Sequence, residues 1–101
     1  MRRNADGSVT FWVPVTGSTT ADAHYPRSEL REPRRDGSLG NWLHDSADNY
    51  LSAVLRIDQV PSLNKVVIGQ IHSSDVPGSQ NDPLVKLQYH YRRGVGRLEL
   101  L

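Results

Sequence analysis

Between Leu84 and Tyr91 the side chains alternate: Val85, Leu87, Tyr89 and Tyr91 fall on one face of an extended chain, Lys86, Gln88 and His90 on the other. A period of two fits a half-buried strand and lays no stripe along a helix, whose side chains repeat every 3.6 residues. The chain beyond it tightens this constraint. Arg93-Gly94-Val95-Gly96 has hairpin-turn composition and leads into a final strand at Leu98 to Leu101.

The same period recurs upstream. Ser8 to Val15 places Val9, Phe11, Val13 and Val15 on one side, with Pro14 marking an edge or an end. Tyr50 to Val60 sets Leu51, Ala53, Leu55 and Ile57 against Ser52, Arg56 and Asp58, with Val54 the apolar exception. Val66 to His72 puts Val67, Gly69 and Ile71 on one face and Gln70 and His72 on the other; Gly69 in mid-strand permits close packing or a bulge. A further ordered stretch is expected at His24 to Glu32, closed by Pro33.

Turn-forming clusters separate these segments at Thr16–Asp22, Arg34–Ser38, Pro61–Asn64 and Ser73–Pro83, and no helical stripe or internal repeat occurs. The expected fold is all-β, an antiparallel β-sandwich of jelly-roll type.

At 101 residues the chain is one domain or part of one, able to bury only a modest core. Twelve basic residues against eleven acidic ones leave a formal net charge of +1, which argues against a dedicated nucleic-acid binder. Ten of the twelve are Arg, the residue suited to planar anions. The absence of cysteine removes disulfides, thiolate chemistry and Cys-based zinc sites. No apolar run approaches the ~20 residues of a membrane span, and Asn4 to Ser8 is polar where a signal peptide would turn apolar. Neither a membrane partner nor a leader is therefore expected within these residues.

Two groups of residues could carry chemistry. In a strand, Arg27, Glu29 and Arg31 would project from one face at ~6 to 7 Å spacing, and the carboxylate would hold two guanidinium forks ready for an acidic ligand. A solvated ion-pair ladder has the same spacing. Gln70 and His72 form a second polar pair in an otherwise apolar strand. His72 could serve as a general base and Gln70 could donate to an oxyanion, or the two could be hydrogen-bonded and partly buried. His24, His44 and His90 lack metal-ligand spacing, and no glycine-rich phosphate loop is present, so neither a metal nor another cofactor is expected.

YPRSELRE at Tyr25 to Glu32 and VVIGQIH at Val66 to His72, in that order and with NWL at Asn41 between them, resemble the alginate lyases of polysaccharide lyase family seven. The resemblance covers essentially the whole chain. It implies a jelly roll whose concave sheet binds an acidic polysaccharide, alginate, and cleaves it by β-elimination to leave an unsaturated uronate end. It also implies that Arg27 and Gln70 neutralise the uronate carboxylate and His72 takes the C5 proton. Glu29, Arg31, Lys86 and Gln88 are the expected substrate-binding residues, and Ile71 in the QIH motif suggests guluronate-containing blocks. The resemblance also implies an extracellular or periplasmic location, where such a polymer is met.

One departure alters this expectation. The YFKAGxYxQ-type strand that supplies the family's acid tyrosine is not found in the 101 residues, and Tyr89 and Tyr91 alternate with the polar face. By resemblance, residues 1–101 correspond to the N-terminal and middle part of the domain, expected to be incomplete as an enzyme. The alternative from another class is a non-catalytic module that binds acidic polysaccharide.

Overall fold

A computed structural model describes residues 1–21, 23–33, 35–38, 48, 50–72 and 83–101. The NWL motif, His44 and most of the Ser73–Pro83 loop lie outside the described residues. Among those described, all regular structure is β: β1 (Arg2–Arg3), β2 (Val9–Thr10), β3 (Lys65–His72), β4 (Pro83–Arg92) and β5 (Val95–Leu100). They form two antiparallel sheets, a short β1–β2 hairpin and a three-stranded sheet in the order β3-β4-β5.

The larger sheet follows from adjacency in sequence and from turn chemistry. Arg93 (φ 52°) and Gly94 (φ 77°) join β4 to β5 directly after the Arg92–Val95 pair. Two consecutive positive φ values define the two-residue turn whose twist matches that of the flanking strands. Upstream, the Asn64 N–H donates to the Pro61 carbonyl (2.7 Å), and the Asn64 carbonyl accepts from the Tyr91 N–H (2.9 Å). The Pro61–Asn64 break is thus the turn that launches β3 along β4. The β1–β2 loop is closed by Asp6, whose Oδ1 accepts from the Ser8 N–H (2.9 Å) and hydroxyl (2.6 Å).

Residues opposite one another in an antiparallel ladder share a face, so the register sorts the side chains. Gly69–Leu87–Leu100, Val66–Tyr89–Leu98 and Ile71–Val85 make one face, which is apolar. Lys65–His90–Arg97, Val67–Gln88–Glu99 and Gln70–Lys86 make the other, which is polar apart from Val67. Val67 opposes Gln88 while Gly69 opposes Leu87, so Ile68 is an extra residue, a β-bulge beside the glycine. The bulge moves Val67 off the face that strict alternation assigns it with Gly69 and Ile71.

Three expected strands are corrected. Of Ser8–Val15 only Val9–Thr10 pairs, and Phe11, Val13 and Val15 remain exposed. There the chain turns at Pro14, whose carbonyl accepts from the Gly17 N–H (2.9 Å). His24–Glu32 enters neither sheet. Nor does Tyr50–Val60, which crosses the apolar face of the large sheet instead of adding a strand: a methyl on Gly69 would meet Leu51 Cδ2 at 3.2 Å, and Ile57 and Val60 line a cleft with Tyr89 and Tyr91. Alternation decides which side chains share a face, whereas a strand also needs a partner's N–H and C=O groups at the right height.

No described side chain is fully buried. The chain exposes 9072 Å², against about 5,700 Å² for a compact monomer of 11.3 kDa. Its radius of gyration, 15.2 Å, exceeds the about 13 Å expected of a compact domain of this length. The sheet has an apolar face ready to bury, and the Tyr50–Val60 stretch covers only part of it.

Candidate functional site

The polar face of the three-stranded sheet gathers most of the residues singled out from sequence. Gln70 on β3 stands directly opposite Lys86 on β4, and Gln88 lies two residues further along the same face. His72 follows Gln70 by two residues on β3 and shares its face by alternation. A second irregularity, at Leu84 on β4, falls between the Ile71–Val85 and His72–Pro83 pairs. Gln70 is exposed and His72 half-buried, so the amide is open to a ligand while the imidazole is partly enclosed.

Arg27 and Glu29 interact with one another, Nε to Oε1 at 3.9 Å, both about half exposed. With Arg31 they occupy a stretch that belongs to neither sheet. The ion pair of the expected ladder forms, but no strand hydrogen bonds hold its spacing. Exposed pairs of this kind contribute ~0.2 to 1 kcal/mol, too little to fix the segment by themselves.

Sequence reasoning missed a well-connected side chain on the polar face. Glu99 Oε1 accepts a hydrogen bond from Gln88 Nε2 at 2.9 Å and lies 3.1 Å from His90 Nδ1. A carboxylate only accepts, so Nδ1 carries a proton in this contact, and Nε2 lies outside it. His90 is well enclosed, its side chain 18% exposed. The Glu99 carboxyl is held below the ordinary glutamate range, first by the hydrogen bond from Gln88, then by that from His90 and the nearby charges of His90 and Lys65. The signal was present in sequence, because Arg97 and Glu99 alternate with Leu98 and Leu100 just as Lys86 and Gln88 alternate with Val85 and Leu87.

The tyrosines of β4 are on the other side. Tyr89 and Tyr91 line a cleft of about 190 Å³ with Ile57, Asp58, Gln59 and Val60. Tyr89 also lies over Gly96 on the neighbouring strand, where an added methyl would come within 2.7 Å of Cε2 and 2.8 Å of Cζ. Among the described residues no three His, Asp or Glu side chains gather as a metal site requires.

The arrangement therefore offers amide and ammonium donors in register, with a histidine at one end and a carboxylate-anchored amide and imidazole at the other. Such a surface can hold carboxylate and hydroxyl groups of an extended polar ligand. Comparison with known proteins bears on which ligand. Neither curated proteins nor solved structures give a match to the chain. A family model described as alginate lyase matches residues 1–100.

Proposed function

The chain belongs to the alginate lyase family, and from that premise we propose that its polar sheet face binds alginate and supports cleavage of the glycosidic bond by β-elimination. In this reading the sheet is part of a jelly roll, and Arg27 and Gln70 hold the uronate carboxylate. His72 removes the C5 proton, the C5–H electron pair becomes the C4–C5 double bond, and the C4–O4 bond breaks as O4 takes up a proton. The barrier lies in creating charge next to an existing carboxylate. Donors aimed at that charge act where it develops.

The observation that carries the reading is the pairing of Gln70 with Lys86 on one face, with Gln88 beside them and His72 two residues beyond. A neutralising amide, a cation and a base along one open surface fit the reaction. Glu29 and Arg31 then bind neighbouring sugars, and a guluronate-containing polymer met outside the cytoplasm is the proposed substrate. The proton for O4 is the weak point. Tyr89 and Tyr91 line the cleft on the apolar side, and loss of a general acid typically costs ~10² to 10⁴-fold in rate.

Ultraviolet absorbance of the conjugated uronate end, followed on alginate, tests the proposal. Slow product formation that disappears in His72→Ala and Gln70→Ala supports it. Equal product formation in His72→Ala overturns the assignment of the base. The placement of the two tyrosines favours a second reading, a module that binds the acidic polymer without turnover. It expects binding that weakens with salt and with Arg27→Ala while no unsaturated ends form at any enzyme concentration.

A further inference from the structure

At the end of the polar face away from His72, Lys65, His90 and Arg97 stand in one row across three strands. The next row places Gln88 beside Glu99, and one oxygen of Glu99 ties both rows together by engaging Gln88 and His90. Lys65 and His72 are the two ends of β3, seven steps or about 23 Å apart at ~3.3 Å per residue. We infer that this row is a second binding subsite, built to hold a carboxylated sugar of the same polymer remote from the bond that is cleaved. The inference rests on the functional reading above.

The chemistry is matched on both sides. A uronate presents a planar carboxylate and hydroxyl groups. Lys65 and Arg97, both exposed, supply ammonium and guanidinium donors for the first. Gln88 gives one amide N–H to Glu99 and keeps the other together with its carbonyl oxygen, and His90 keeps Nε2, so the pair offers hydrogen-bonding groups to sugar hydroxyls, which both donate and accept. Glu99 has a positional role, since it orients an amide and an imidazole that would otherwise rotate. The electrostatic balance still favours an anion, because among the described residues of this face Lys65, Lys86 and Arg97 outnumber the one carboxylate, Glu99.

Calorimetric titration of the chain with a uronate trimer and with a decamer separates this subsite from the catalytic end. Lys65→Ala/Arg97→Ala is expected to weaken decamer binding about five- to tenfold, the loss of two exposed charge-assisted contacts, and to leave the trimer unchanged. Glu99→Ala discriminates further. Removing a negative charge strengthens binding if the face attracts polyanions only by its overall charge, whereas loss of the anchor weakens decamer binding if the site is built. Both substituted cations are exposed, and amide spectra of each variant report whether the sheet is intact. Decamer binding that is unaffected by the double substitution, or tightened by Glu99→Ala, overturns the inference. Failure of the unmodified chain to bind either oligomer overturns the functional reading along with it.

Discussion

Two glycines on the apolar face of the sheet should respond in opposite directions to the same change. Neither has a positive φ, so alanine is conformationally acceptable at both. At Gly96 the new methyl would lie 2.7 and 2.8 Å from two ring carbons of Tyr89, roughly 1 Å inside the ordinary carbon–carbon separation. Overpacking of this kind costs ~1 to 3 kcal/mol. The ring can yield into the adjoining cleft beside Ile57 and Val60, which sets the cost near the middle of that range. At Gly69 the methyl meets only Leu51 Cδ2 at 3.2 Å, the far end of a side chain that is 67% exposed and free to give. Each substitution also gains ~0.4 to 1 kcal/mol by restricting the unfolded chain. Gly96→Ala should therefore destabilise the β4–β5 hairpin by about 1 kcal/mol and Gly69→Ala stabilise its sheet by about 0.5 kcal/mol. The measurement is amide hydrogen exchange at His90 and Arg97, opposite one another on β4 and β5 and, counted in steps of two from the mutually hydrogen-bonded Lys86 and Leu101, a bonded pair of the hairpin. A difference of about tenfold in protection between the variants is expected. Equal protection, or more in Gly96→Ala, would falsify the placement of the Tyr89 ring over β5.

Two further outcomes follow from the charge network and from the exposed surface. Because the folded Glu99 carboxyl is depressed, its contribution to stability is present above the ordinary glutamate range and is lost as pH falls through the lowered value; Gln88→Leu removes the largest cause, so carbon-detected NMR should show Glu99 titrating nearer to that range, and an unchanged titration would contradict the hydrogen bond. Burying about 7,300 Å² instead of the about 10,700 Å² of a compact chain of this mass, the protein should unfold with a heat-capacity change of about 0.9 kcal/mol/K, two-thirds of the ordinary value for its length; a full-sized value in dilute solution would show that it closes up further than described.

The parts legible in sequence were those whose partner lies next door. The β4–β5 hairpin needs only the alternation of Val85 to Tyr91 and a turn within Arg93-Gly94-Val95-Gly96, both visible without coordinates; the structure narrows the turn to Arg93-Gly94 and starts β5 at Val95, ahead of the Leu98 expected from sequence. β3 was legible too, because Pro61 to Asn64 bounds it and its residues suit a sheet interior. Ser8–Val15 and Tyr50–Val60 alternate just as well and form almost no ladder. Pairing is a joint property of two segments, and a pattern within one of them cannot report it. The candidate site divides the same way. Gln70 alternates with His72 and Lys86 with Gln88, as their spacing suggested, and the register adds that both pairs share one face, whereas Arg27, Glu29 and Arg31 depend on a strand that the described structure does not contain. Glu99 was overlooked because its importance comes from contacts across the turn, to Gln88 beside it and His90 on the diagonal.

The bulge at Ile68 gives β3 something like a reading frame. Upstream of it Lys65 and Val67 belong to the polar side, and downstream Gln70 and His72 do, so the extra residue changes parity partway along the strand. Had the ladder continued without it, Gln70 and His72 would have been assigned to the face that carries Leu87 and Tyr89. One residue inserted between Gly69 and Gln70 would again turn both side chains over, and two would restore them. Substitutions in this strand change its chemistry by degrees, whereas single insertions invert it, so length variation should be tolerated in the Pro61–Asn64 turn and disfavoured between the bulge and His72.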